Sequence, residues 1–272
     1  MAIINTMEKE PKITVITSLY KAGHFLESFL QDIRNQTIFE ELDWHFIDAN
    51  SPDMEYERLL EFQKVNENVR ISRELKRIGI YAAWNKGVKK SKAKYISNLN
   101  VDDKLSYDYY EIMFNFLENN KEFDVAYSNV LISTNINDTF YSVDVNKPDN
   151  RLRTASYCDL HSLSHLGAVH NCPVWRKSIH EDVGLFDETL NVAGDTDFWM
   201  RAVIAGKKIK KLDAFLALYF LNPHGISTEL KGEFVGLNSE AHQEVLMLRQ
   251  KYEKEINEYG LQNFYNYIDS QR

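Results

Sequence analysis

Residues 12–36 read KITVITSLYKAGHFLESFLQDIRNQ, and the change of period inside this stretch decides the fold class. Its first seven residues are a compact β-branched run, which predicts a short buried strand over 12–18. After a break at Gly23, apolar side chains recur at Phe25, Leu26, Phe29, Leu30 and Ile33, the spacing of an amphipathic helix from about 24 to 36. The same switch repeats downstream. DWHFID (43–48) is a second strand that stops in the turn cluster ANSPD (49–53), with helix near 54–67 and a third strand near 69–73. A helix over about 80–91 and a strand over 94–99 extend the series. Such alternation predicts right-handed βαβ units and a mostly parallel sheet with ligands at the strands' carboxyl ends.

Past residue 106 a helix carrying Tyr109, Ile112, Met113, Phe116 and Leu117 leads to a strand over 124–132. The stretch 133–165 is polar and loop-like, with hairpin strands expected around Phe140–Val145. Helix returns near 195–205 and apolar strands around 208–220. Two amphipathic helices close the chain, one carrying Val245, Leu246, Leu248 and Tyr252, the other Leu261, Phe264, Tyr265 and Ile268. The expected division is an α/β domain over 1–230 and a helical extension over 231–272, packed on that domain or on a second copy in a homodimer. The mixed charge of these helices argues against a membrane-surface role.

The 272 residues include 40 acidic and 32 basic side chains, a formal charge of −8, which disfavours a nucleic-acid partner. Cys158 and Cys172 are too few for a disulfide framework and suggest a reducing compartment. Neither an apolar signal core nor a run of ~20 apolar residues is found, so the expectation is a soluble cytoplasmic protein with no transmembrane segment.

The strongest chemical signal is LNVDD (99–103), directly after the strand KYIS. Two adjacent carboxylates at a strand end repel one another, and a divalent cation relieves that repulsion. Asp and Glu oxygens suit Mg²⁺ and Mn²⁺, which are commonly shared with substrate phosphates. Equally, Asp102 or Asp103 could cap a helix beginning near Ser106. Further on, AGDTDFWMR (193–201) puts Asp195 at a helix start, where it could cap that helix or act in chemistry. Trp199 on this helix is expected to pack against the sheet, and the lysines from Lys86 to Lys94 form a wet helix face.

ITVITSLYKAGHFLESFLQDIRNQT, FIDANSPD, GIYAAWNKGVKKSKAKYISNLNVDD and VWRKSIHEDVGLFDETLNVAGDTDFWMRAVIAGKKI occur in order, spread over about residues 12 to 228. Together they resemble glycosyltransferase family two, whose GT-A fold binds a nucleotide sugar and a divalent metal. The resemblance implies an inverting transferase moving a sugar from a nucleotide-sugar donor to a hydroxyl of a glycan, lipid-linked or other acceptor. A lipid-linked acceptor would put the protein at the periphery of a membrane. It implies nucleoside contacts from Thr17, Ser18 and Leu19, base recognition by Asp48, a diphosphate contact from Arg77 and support of the acidic loop by Asn85. Asn100 stands where the first carboxylate of the metal motif often stands. Asp102 matches the ribose and diphosphate neighbour, and Asp103 the ligand of Mn²⁺ or Mg²⁺. Asp48 favours a UDP-sugar, since a carboxylate accepts from a uracil imide. Asp195 matches the catalytic base, with Gly194 in place of the usual Glu. His224, in NPHGIS, falls in a segment that can close over the diphosphate and add a metal or phosphate contact.

Ala49, Asn100 and Gly194 depart from the family pattern and define the alternative, a catalytically silent GT-A-fold protein that binds nucleotide sugar or glycan. A sugar-nucleotide pyrophosphorylase needs a Gly-rich loop after its first strand, and TSLYKAGH does not supply one.

Overall fold

Four parallel strands form the first half of the sheet: β1 (Ile13–Leu19), β2 (Leu42–Asp48), β3 (Val69–Arg73) and β4 (Tyr95–Asn98), in the order β3-β2-β1-β4. All of β2 and nearly all of β1 are buried, as expected of central strands covered on both faces. The computed structural model describes residues 10–152, 160, 163, 169, 172–231 and 234–260. Helices α1 (Gly23–Arg34), α2 (Glu55–Lys64) and α3 (Ile80–Lys90) link the strands, and α4 (Tyr109–Asn119) follows the short β5 (Lys104–Leu105).

Beyond β4 the sheet becomes mixed. Strand β6 (Val125–Ser133) pairs with the short β7 (Arg151–Leu152), and β8 (Val174–Arg176) runs antiparallel to both β4 and β6. Strand β9 (Ile209–Phe220) lies parallel to β6, and β5 pairs antiparallel with its far end. Helices α5 (Ile179–Val183) and α6 (Gly194–Ile204) precede β9. A hairpin of β10 (Thr228–Lys231) and β11 (Phe234–Leu237) then leads to α7 (Ser239–Lys251), with helix again over 253–260. The expected division at residue 230 thus falls inside β10. Among the described residues no helix is long and apolar enough to cross a membrane.

Alternation along the strands fills two cores. Val15 and Phe46 point to the layer containing α1 and α4, whereas Ile16 and Ile47 point to the layer containing α3, α6 and α7. Helix α3 lies so close to β1 that a Cβ on Gly87 would come within 2.6 Å of Ile16, so only glycine fits there.

The hairpin expected around Phe140–Val145 is absent; these residues form turns. Thr139 Oγ1 accepts the Ser142 N–H at 3.1 Å and Asp144 Oδ1 accepts the Asn146 N–H at 2.9 Å, local bonds that replace a ladder. The expected strands near 208–220 are one continuous strand. Leu261, Phe264, Tyr265, Ile268, Cys158, His161, His165 and His170 lie outside the described residues.

Candidate active site

Strands β1 and β2 end level, with Leu19 opposite Asp48. Asp48 is fully buried; its Oδ1 accepts the Ser51 N–H at 2.8 Å, its Oδ2 lies 3.2 Å from Arg73 Nε, and burial pushes its carboxyl pKa up. Thr17 Oγ1 is also buried and has no hydrogen-bond partner among the described residues, while Ser18 beside it is partly exposed. The wholly buried Glu55 joins the loops after the two strands, accepting from Ala22 N–H at 2.7 Å and Ser51 Oγ–H at 2.9 Å. Leu19 shares its face of β1 with Thr17. It lies on the buried face of β1 at 1% exposure, and Tyr20 takes the surface instead, where the exposed Arg77 guanidinium lies 4.3 Å from its ring centre.

The acidic loop lies at the end of β4, the next strand. Asp103 is 1% exposed, and burial, reinforced by the charge of Asp102, holds its carboxyl well above the ordinary range. Asn100 Nδ2 lies 3.4 Å from Asp103 Oδ2, and Asn222 Nδ2 lies 3.3 Å from Asp102 Oδ2. Lys104 is buried behind the pair and donates to Ser28 Oγ at 2.7 Å. This donor set fits a hard divalent cation, because a buried and a half-buried carboxylate that repel one another gain from one. Among the described residues no group of three His, Cys, Asp or Glu side chains could hold a metal. The residue of the 221–227 segment that reaches this loop is Asn222. His224 is exposed, and its backbone N–H donates to Asn222 Oδ1 at 3.0 Å.

Across from the loop, α6 begins with Gly194 and Asp195. Tyr81 Oη donates to the Val192 carbonyl at 2.5 Å and lies 3.5 Å from Asp195 Oδ1, which accepts the Thr196 N–H at 2.7 Å. Asp195, Asn98 and Asn100 line one cavity of about 410 Å³, walled by aromatic side chains including Trp84, Trp199 and Tyr219. Burial raises the Tyr219 phenol pKa, and the charges of Asp103, Asp102 and Asp195 raise it further. Asn100 of the acidic loop and the helix-start carboxylate of Asp195 therefore line one cavity, while Asp102 lines a neighbouring one of about 230 Å³ with His24 and Lys104.

Residues 14–182, well over half of the chain, match the family model described as Glycosyl transferase family 2. The chain belongs to glycosyl transferase family 2. An uncharacterised glycosyltransferase of Methanocaldococcus jannaschii is 26% identical over 229 residues, covering 80% of this chain and 73% of that protein. The 1–349 fragment of S. aureus TarS in complex with UDP-GlcNAc has a TM-score of 0.62 at 17% identity, covering 82% of this chain and 60% of the other. The mannosyltransferase PcManGT of Pyrobaculum calidifontis in complex with GDP-Man and Mn²⁺ has a TM-score of 0.59 at 16% identity, covering 81% and 60%. At these identities the likeness to solved structures establishes the GT-A fold, and the chain spans about three fifths of the TarS fragment and of the mannosyltransferase.

Within this family frame, the structure brings Thr17, Ser18 and Asp48 to one edge, and Asn100, Asp102 and Asp103 to the adjoining loop. Asn85 is not at the acidic loop. It is 1% exposed and tied to the chain after α5, its Nδ2 donating to the Phe186 carbonyl at 2.9 Å and Glu188 Oε1 at 2.8 Å. Tyr81, Tyr219 and Asn222 were not indicated by the sequence reading. Tyr81 lies inside the quoted GIYAAWNKG segment, but only the fold shows that it faces Asp195. Trp199 packs edge-on against Trp175 at 5.5 Å, as expected for a core residue, and also forms part of the cavity wall.

Proposed function

We propose that the chain is an inverting, metal-dependent glycosyltransferase that moves a sugar from a UDP-sugar to an acceptor hydroxyl on the cytoplasmic side. The observation that carries this reading is the cavity that Asp195 shares with Asn100, the residue of the acidic loop beside Asp103. Thr17 and Asp48 present buried polar atoms at the strand edge, where the nucleoside's N–H and O–H groups would meet them. Asp103, with Asp102 beside it, would hold Mn²⁺ or Mg²⁺, which when bound neutralises charge growing on the leaving diphosphate. Asp195 takes the proton from the acceptor hydroxyl as its oxygen attacks the anomeric carbon from the face opposite the leaving group. One base on the acceptor side, acting without a covalent nucleophile, inverts the donor's configuration.

The UDP-GlcNAc bound by TarS and the GDP-Man and Mn²⁺ bound by the mannosyltransferase support a nucleotide-sugar donor and a divalent cation for this chain. The test is thermal stabilisation by UDP-, GDP-, dTDP- and CDP-sugars with Mn²⁺ or Mg²⁺, followed by release of nucleoside diphosphate. One nucleotide class should raise the melting temperature and be turned over only with the cation. Binding without turnover, across a panel of glycan and lipid-linked acceptors as well as water, would favour the silent binding protein.

A further inference from the structure

We propose that Glu244, in the helix after the β10–β11 hairpin, is a positioning residue for Asp195 and that α7 is a working wall of the site. The proposal rests on the reading of Asp195 as the base. The three residues leading into α6 turn their N–H groups onto this one carboxylate. Asn191 N–H donates to Glu244 Oε1 at 2.8 Å, while Val192 and Ala193 N–H donate to Oε2 at 2.9 and 2.7 Å. Ala193 provides no side-chain cap for α6, so a carboxylate from a distant element fixes the backbone immediately before it. Hydrogen bonds to an ionised acceptor are among the stronger ones, and three of them hold this approach in place.

The grip is doubled one turn on. Asp197, wholly buried, accepts from Lys251 Nζ at 2.8 Å and Tyr252 Oη at 2.7 Å, both at the exit of α7. Asp195 therefore sits between two attachments of α6 to the same C-terminal helix. That helix also places Ala241 and Val245 in the wall of the cavity that Asp195 faces. A base two residues beyond Ala193 inherits its aim from this clamp, and a misplacement of about 1 Å can cost about 10²-fold in rate.

The experiment compares the full-length wild type with Glu244→Ala, Glu244→Gln and Asp195→Asn. Amide hydrogen exchange over residues 191–196 is measured first, because it needs no substrate. Turnover is then followed as UDP release from UDP-N-acetylglucosamine, or from whichever nucleotide sugar the panel selects, with kcat and KM separated. UDP affinity is measured by calorimetry. Glu244→Ala should speed exchange in this segment by about tenfold or more and lower kcat by about 10- to 100-fold, with donor KM and UDP affinity within about twofold of wild type. Glu244→Gln, which keeps one accepting oxygen, should fall between. If Asp195→Asn abolishes turnover while both Glu244 variants keep wild-type kcat, the base stands and the clamp is overturned. If Asp195→Asn keeps its turnover, the base reading itself has failed. Unchanged exchange in the Glu244 variants overturns the clamp in either case. Should Glu244→Ala fail to fold, the same criteria apply to Glu244→Gln.

Discussion

The ring of Tyr81 occupies the place where residue 194 would carry a side chain: a Cβ built on Gly194 would lie 2.6 Å from Cε2 of that ring. Any side chain at 194, the carboxylate of the family motif included, would meet this ring. Tyr81 fills the space and fastens its hydroxyl to the Val192 carbonyl, so glycine at 194 and tyrosine at 81 are packed as a pair.

Gly194→Ala should therefore destabilise the fold by about 1–3 kcal/mol, the usual cost of overpacking a filled interior. In a Tyr81→Ala background the same substitution should cost much less, because the obstructing ring is gone. Urea denaturation of the four proteins in the cycle measures the coupling. An equal cost in both backgrounds would show that some other contact excludes a side chain at 194.

His180 makes stability depend on acid. Its Nε2 accepts the Trp175 indole N–H at 3.0 Å and its Nδ1 lies 2.9 Å from the Gly184 carbonyl, a pair of contacts that requires the neutral ring protonated on Nδ1. Burial pushes its pKa from the ordinary 6.5 down to about 4, and His45 is likewise pushed down to about 4 by burial. Below about pH 6.5 the unfolded chain takes up these protons while the folded chain does not, so stability falls as pH drops towards about 4. Each ring contributes up to about 3 kcal/mol of this loss. Urea midpoints at pH 7 and 4.5 should drop less in His180→Gln than in wild type, and an identical drop would contradict the assignment.

Asp103→Ala should separate folding from metal use. Removing a buried carboxyl that burial and Asp102 already disfavour as an ion leaves the metal-free fold as stable as wild type, or more so. Manganese-dependent affinity for UDP should disappear. Melting curves and calorimetry with and without Mn²⁺ read both effects, and retained Mn²⁺ dependence would move the metal site elsewhere.

The parallel half of the sheet was legible because its strands are short runs rich in β-branched and aromatic residues and its helices keep a 3.6-residue period. The turns at 139–147 were not, since Thr139 and Asp144 bond their neighbours' backbone whatever the apolar alternation suggests. The hold of Glu244 on residues 191–193 spans about fifty positions of sequence and joins two helices with no shared motif, so only the fold reveals it. Likewise His224 and Asn222 are two residues apart in one turn, and only the fold shows that Asn222 lies against Asp102.

Asp195→Asn gives the sharpest test of the chemistry. In the structure Asp195 Oδ1 accepts the N–H of Thr196 at 2.7 Å, a bond that an asparagine carbonyl can also accept. If Asp195 served only to finish the first turn of α6, the amide would do nearly as well and transfer would hardly change. A base is different, because an amide cannot take the proton of an acceptor hydroxyl, and transfer should fall by about 10²–10⁴-fold. Donor binding should survive, since Asp195 belongs to α6 and not to the β1 and β2 edge or the acidic loop assigned to the donor, so UDP affinity by calorimetry should match wild type. The anomeric configuration of the product supplies the second half of the test. A single base with no covalent nucleophile delivers the acceptor oxygen to the face opposite the leaving diphosphate, and nuclear magnetic resonance of the new linkage should show inversion. A variant that transfers sugar at the wild-type rate, or a product that keeps the donor's configuration, would place the chemistry on residues other than Asp195.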